Sequence, residues 1–219
     1  MTDRLKIAFA QMNQRVGDLE ANAAAMLEMR QRAGDADLLL CPELQLIGYP
    51  PEDLVLKPEF VRRTMECAER LVDATAEPGP AILIGTVISE GGLTYNAFLL
   101  ADGGRVIGRT LKRELPNYGT FDEKRIFASG PIPEPLEFKG VKLGIPICED
   151  IWQEVVCGHL ADAGAEILLA DFTLKQAVQP RADDQSLLLS RPGALAALLH
   201  ANKVAQRSLE EDVVPASNM

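Results

Sequence analysis

The stretch DLLLC at residues 37–41, followed directly by Pro42 and Glu43, decides how this chain folds. Successive strand residues point to opposite faces, so a sheet with one wet face alternates apolar and polar side chains. Leu38, Leu39 and Leu40 break that alternation and put apolar groups on both faces, so the strand they form must be covered on both sides. Pro42 has no N–H for a ladder and ends the strand. A carboxylate, Glu43, therefore stands where a buried strand exits.

The flanking sequence repeats this grammar. Residues 81–88 (AILIGTVI) read as a second buried strand and residues 93–100 as a third. Asp102-Gly103-Gly104 is a hairpin turn into a strand over 105–111, so those last two strands are expected to pair antiparallel. Upstream, residues 6–9 (KIAF) form a short strand, and residues 22–32 carry Ala, Met and Leu at helical spacing. Residues 48–60 (GYPPEDLVLKPEF) read as a proline-punctuated loop before a helix over 61–74. A long polar and aromatic loop spans 113–135, and a strand over 142–147 ends at Cys148. A helix over 155–163 is closed by Gly164, and a strand follows over 166–170. Residues 171–191 mix polar residues with SLLLS, and residues 193–204 fit either an Ala- and Leu-rich helix or a strand. Strands alternating with helices, with no wet sheet face, predict a layered α/β fold.

Composition narrows the function classes. The chain has 219 residues, 47% hydrophobic and 25% charged, which suits one large globular domain. Acidic side chains number 32 against 22 basic ones, a net charge of −10. Binding to nucleic acid or to an anionic membrane needs a clustered positive surface, so neither is expected as a partner. The N-terminus runs straight into the first strand, and no apolar run reaches the roughly 18 residues of a membrane helix, which predicts a cytoplasmic protein. The four cysteines, Cys41, Cys67, Cys148 and Cys157, lack CxxC spacing, so no disulfide framework or zinc knuckle is expected. His159 and His200 have no ligand partner at suitable spacing, so no metal is expected either.

Chemistry in α/β sheets collects where rigid strands end and loops begin. Three such ends carry reactive groups: Glu43 after DLLLCP, Lys112 after VIGRTL, and Cys148 after LGIPI. A carboxylate base, an ammonium and a thiol suffice for covalent acyl transfer, in which the thiol attacks a carbonyl or nitrile carbon, the base takes its proton and the cation meets the developing oxyanion. Each residue has a plainer reading. Cys148 fits a small buried hydrophobe, Glu43 a cap after Pro42, and Lys112 a solvated charge beside Arg113. Spacing alone leaves both sets of readings open.

Three longer motifs bear on that choice: LLLCPELQLIGYPPEDLVLKPEF, LKRELPNYGTFDEKRIF and GIPICEDIW, preceded by AQMNQRVGDLEANAAAM. Together they resemble the nitrilase superfamily of carbon–nitrogen hydrolases and, more narrowly, the glutamine amidohydrolase domain of glutamine-dependent NAD synthetase. The resemblance covers about residues 5–169. It implies an α-β-β-α sandwich and a Glu–Lys–Cys triad at Glu43, Lys112 and Cys148. Glu123 matches the family's second glutamate, which positions the lysine and the substrate. Tyr118, Phe121 and Glu149 match the substrate-binding positions. The implied reaction converts L-glutamine to glutamate and ammonia through a thioester on the cysteine, with no cofactor for that step.

The chain also departs from the pattern. ATP and deamido-NAD belong to a synthetase domain, whose pyrophosphate loop is expected to be absent here. The family's Asn-x-Ser-Pro segment is replaced by Asp171-Phe172-Thr173-Leu174, with Arg181 the candidate for a family basic residue, and residues 198–204 (LLHANKV) only faintly resemble a late family strand. The sandwich is therefore expected to be incomplete or altered at its C-terminus, through truncation, a reading-frame change near residue 170 or a divergent natural end. By that resemblance, residues 1–169 are expected to form the amidohydrolase core and 170–219 a divergent segment of the same domain. Three functions remain in view: a glutaminase feeding an NAD synthetase domain, a stand-alone hydrolase of another small amide, and an inactive fragment. A homo-oligomer is a candidate assembly.

Overall fold

Residue parity along the strands sorts the core into layers. The computed structural model describes residues 5–170. In chain order the elements are β1 (Ile7–Phe9), α1 (Leu19–Arg32), β2 (Leu38–Leu40), a 3-10 helix at Glu52–Leu56, and α2 (Pro58–Ala74). Then come β3 (Ala81–Glu90), β4 (Leu93–Asp102), β5 (Arg105–Leu111), α3 (Glu123–Ile126), β6 (Leu136–Phe138) and β7 (Val141–Gly144). A 3-10 helix at Cys148–Trp152, α4 (Glu154–Asp162) and β8 (Ile167–Leu168) complete the described residues. Among these, β1 to β5 form one sheet in that order and β6, β7 and β8 a second.

Leu39, Ile82 and Ile84 face one way and pack with Met26 of α1 and Val61, Cys67 and Leu71 of α2. Leu38, Leu40, Leu83, Phe98 and Leu100 face the other way and pack against Phe138 and Leu143 of the second sheet and against Ile145 and Ile147, which follow β7. The far side of that sheet is covered by α4, through Val156 and Leu160 on Leu168. The four layers run α-β-β-α, as expected, and they explain why DLLLC is apolar on both faces.

Strand direction positions the site. β1, β2 and β3 pair parallel, β4 pairs antiparallel to β3, and β5 pairs antiparallel to β4. β5 thus runs with β2, and both release their chains at the same edge of the sheet. The hairpin at Asp102-Gly103-Gly104 is where the sequence puts it. A second hairpin joins β3 to β4 through Gly91 and Gly92, at φ +60° and +80°, a backbone open to glycine without penalty.

Several boundaries differ from expectation for local reasons. α1 begins three residues early because the Asp18 side chain accepts from the Ala21 N–H at 3.2 Å and caps it. α2 begins at Pro58, not residue 61, since proline at the first helical position has its φ set and lacks only an N–H that would be unpaired. The segment expected as loop over 48–60 holds a 3-10 helix, and the loop expected over 113–135 holds α3. β6 was not anticipated. The segments at 171–174, Arg181, 193–204 and the divergent tail from 171 onward lie outside the described residues.

Candidate active site

Glu43 sits on a turn that only its neighbours make possible. Cys41 still donates to Leu83 O at 3.1 Å, so the chain stays on the sheet to that point. It then turns over β3, with Leu44 at φ +50° and Leu46 N–H donating to Gly85 O at 3.0 Å. A Cβ on Gly85 would lie 2.0 Å from Pro42 O, so glycine is what lets the turn approach β3. Lys112 continues β5 by one rung, its N–H donating to Asn96 O at 2.9 Å. Glu123 opens α3, and its N–H donates to Pro116 O at 3.1 Å.

These side chains converge. The Lys112 ammonium donates to Glu43 Oε1 at 2.7 Å and to Glu123 Oε1 at 2.9 Å, and it lies 2.8 Å from Glu123 Oε2. Lys112, Glu43 and Glu123 expose only 0%, 1% and 2% of their surface. Asn96 Nδ2 donates to Glu43 Oε1 at 2.7 Å, and Tyr49 Oη to Glu123 Oε1 at 3.1 Å. The Cys148 thiol lies within electrostatic reach of Glu43, Lys112 and Glu123. Cys148 opens the 3-10 helix at φ +45°, a conformation costing a non-glycine residue roughly 1–3 kcal/mol and typical of strained functional turns. Toward solvent, Tyr118 Oη donates to Glu149 Oε2 at 2.8 Å, and the Tyr118 ring meets Phe121 edge-on at 5.6 Å. Phe121 in turn stands 6.3 Å from Tyr49. All seven sequence-predicted residues thus belong to one connected cluster with an aromatic rim. The alternatives of a capping Glu43 and a solvated Lys112 fail on burial.

Electrostatics assign the protons. Burial penalises the Lys112 ammonium, but Glu43 and Glu123 outweigh it and hold its pKa above the ordinary lysine value. Burial, with the Glu43 charge adding to it, raises the Glu123 carboxyl. Burial and the Glu43 charge also push the Cys148 thiol well above its ordinary value, against the pull of Lys112. The neutral form of the Cys148 thiol is thereby favoured, and Glu43 is the charge that acts on it most strongly. At the rim, burial and then the Glu149 hydrogen bond raise Tyr118 to about 12, so it remains a donor.

Three residues of this cluster were not anticipated: Tyr49, Asn96 and Asp150. Asn96 had a signal, as a lone amide inside the apolar strand text YNAFLLA. Asp150 is fully buried and accepts from the N–H groups of Glu114 at 2.7 Å, Ile147 at 3.0 Å and Arg113 at 3.1 Å. Burial raises its carboxyl to about 6 against the lowering pull of those three donors. Of the other thiols, Cys41 and Cys67 are buried, and Cys157 Sγ faces Ile151 O at 3.6 Å. His159 pairs with Glu134 at 2.8 Å. Among the described residues no group of three His, Cys, Asp or Glu side chains could hold a metal, and no helix is long and apolar enough to cross a membrane.

Comparison with known proteins bears on this geometry. The chain is 46% identical over 171 residues to a glutamine-dependent NAD(+) synthetase of Rhodobacter capsulatus, covering 77% of this chain and 31% of that protein. It is 39% identical over 154 residues to the Thermotoga maritima protein of the same name, covering 69% and 27%. The chain therefore spans about a third of the length of the curated relatives it matches. Among solved structures, a glutamine-dependent NAD+ synthetase from Acinetobacter baumannii superposes with a TM-score of 0.71 at 36% identity, over 76% of this chain and 32% of that one. An amidase from Nesterenkonia sp. superposes at 0.65 and 26% identity, over 76% and 64%. One variant of that amidase carries acrylamide added to its active-site cysteine. The carbon–nitrogen hydrolase family model matches residues 6–216. A match of that extent, on an α-β-β-α sandwich that buries a Glu–Lys–Cys cluster at its strand ends, makes this chain a member of the carbon–nitrogen hydrolase family.

Proposed function

We propose that this chain hydrolyses the side-chain amide of L-glutamine to glutamate and ammonia through a thioester on Cys148. The observation that carries this reading is the buried contact set in which Lys112 bridges Glu43 and Glu123, with the Cys148 thiol within electrostatic reach of all three. The choice of glutamine is supported by the names of the relatives at 46% and 39% identity.

The steps balance on these residues. Glu43 takes the thiol proton as sulfur bonds to the amide carbon, and the carbonyl oxygen becomes an oxyanion beside the Lys112 ammonium and the backbone N–H that follows Cys148. Collapse breaks the C–N bond, and the proton on Glu43 leaves with ammonia. Glu43 then takes a proton from water as the water oxygen attacks the thioester, the C–S bond breaks, and the proton returns to sulfur. Glu123 keeps Lys112 charged and in place. Tyr118, Phe121 and Glu149 form the mouth, where the Glu149 carboxylate suits the α-ammonium of an amino acid. The side chains named carry every proton in this scheme, so the hydrolytic step calls for no cofactor. ATP and deamido-NAD are assigned to a synthetase domain that would consume the ammonia. A cytoplasmic location and a homo-oligomeric assembly complete the reading.

A mass shift on Cys148 alone, after incubation with a diazoketone analogue of glutamine, together with ammonia release that Cys148→Ala lowers to the buffer background, is the expected result. Label shared with Cys157 or Cys67, or ammonia release unchanged by Cys148→Ala, would sink it. The likeness to a Nesterenkonia amidase favours a second reading, hydrolysis of another small amide. A panel of amides in which glutamine is a poor substrate would select that reading, and a folded chain that hydrolyses none would be the inactive fragment.

A further inference from the structure

We propose that Asp150 is a positioning residue that sets the placement of Cys148 relative to Lys112 across the two sheets. The inference rests on the triad reading above. Lys112 leaves the five-stranded sheet at the end of β5, whereas Cys148 follows β7 of the three-stranded sheet. Interdigitated apolar side chains join the sheets, but such packing has little directional preference and does not by itself fix two loops to a few tenths of an ångström.

The Asp150 carboxylate does supply direction. Its Oδ1 accepts from Glu114 N–H at 2.7 Å and Arg113 N–H at 3.1 Å, the two residues directly after Lys112. Its Oδ2 accepts from Ile147 N–H at 3.0 Å, the residue directly before Cys148. One rigid carboxylate thus grips the backbone beside both groups, Oδ1 holding the Lys112 loop, and Oδ2 holding the Cys148 loop while also accepting a longer bond from Arg113 N–H at 3.4 Å. Asp150 lies within the 3-10 helix that Cys148 opens, and its own N–H donates to Ile147 O at 3.0 Å, so the thiol cannot drift without pulling on the grip. The residue is fully buried, so water does not compete for these donors.

Asp150→Asn separates this role from simple packing. The amide keeps the volume but offers only one acceptor oxygen, and whichever way it turns, an NH2 faces a backbone N–H on one of the two loops. The full chain is treated in parallel with the diazoketone glutamine analogue, whose attack needs thiol, Lys112 and substrate aligned, and with iodoacetamide, which needs only the thiol. A misplacement of about 1 Å costs on the order of 100-fold in an aligned reaction, so D150N is expected to lose about that factor with the analogue while its iodoacetamide rate, set by the thiolate fraction, changes far less. Equal losses with both reagents, or no loss with either, overturn the proposal. Glu114→Pro removes the shortest donor and leaves Asp150 intact, so it decides by the same ratio if D150N does not fold. A wild-type chain that the analogue fails to label refutes the triad reading itself, a result distinguishable from normal labelling of both wild type and D150N, which refutes the role of Asp150 alone.

Discussion

Lys112 and Cys148 show how far a residue's surroundings decide its chemistry. Lys112 is buried between two carboxylates, and removing one partner of a buried ion pair costs about 3–5 kcal/mol because the remaining charges stay unpaired. Lys112→Met is therefore expected to abolish turnover and to lower stability by about that amount in urea unfolding. Adding Glu43→Gln and Glu123→Gln is expected to recover most of the stability and none of the activity. For Cys148 the sign follows from a pKa raised above its ordinary 9.0. Below that value the thiol is neutral, so thiolate grows about tenfold per pH unit, and iodoacetamide labelling should climb throughout pH 6–9 with no plateau. A plateau near neutrality would show a preformed thiolate and remove the need for Glu43 as base. At this scale the candidate residues Glu43, Lys112 and Cys148 were legible through their position at strand ends and in matching motifs. Asp150 and Tyr49 were not, because a carboxylate that binds backbone N–H groups from a distant loop has no sequence spacing to betray it.

Elements carry the site by allowing close approach. β3 passes beneath the Glu43 turn only because residue 85 has no side chain, with Pro42 O 2.0 Å from where a Cβ would stand. Gly85→Ala is expected to cost at least about 1–3 kcal/mol by overpacking and to depress turnover, since the strand must move the turn that holds Glu43. A variant with wild-type melting and rate would show that the turn is free to shift. Long buried strands such as β3 and β4 were legible from their apolar text. The four-residue α3 and three-residue β6 were not, because elements that short carry less than two periods of any pattern. Their existence is fixed by partners instead: β6 by antiparallel pairing with β7, and α3 by the Lys112 contact of Glu123.

For the molecule as a whole, the sheets must act as one body, since Glu43 and Lys112 leave one and Cys148 leaves the other. Phe98 lies between them and is 1% exposed. Phe98→Ala is expected to cost about 3–5 kcal/mol, and to slow turnover at temperatures well below its midpoint because the inter-sheet spacing relaxes. Full activity in a folded Phe98→Ala chain would show that the loops hold their own geometry. The sequence by itself determined the layered α/β class, because unbroken apolar strands leave no wet face, and it determined where the reactive groups stand along the chain. Only the tertiary structure decided that Lys112 is buried between Glu43 and Glu123, that burial raises the Cys148 thiol, and that Asp150 joins the two loops. Burial, proton affinity and hydrogen bonding depend on which distant residues meet, and those meetings are made by sheet pairing and core packing, not by spacing along the chain.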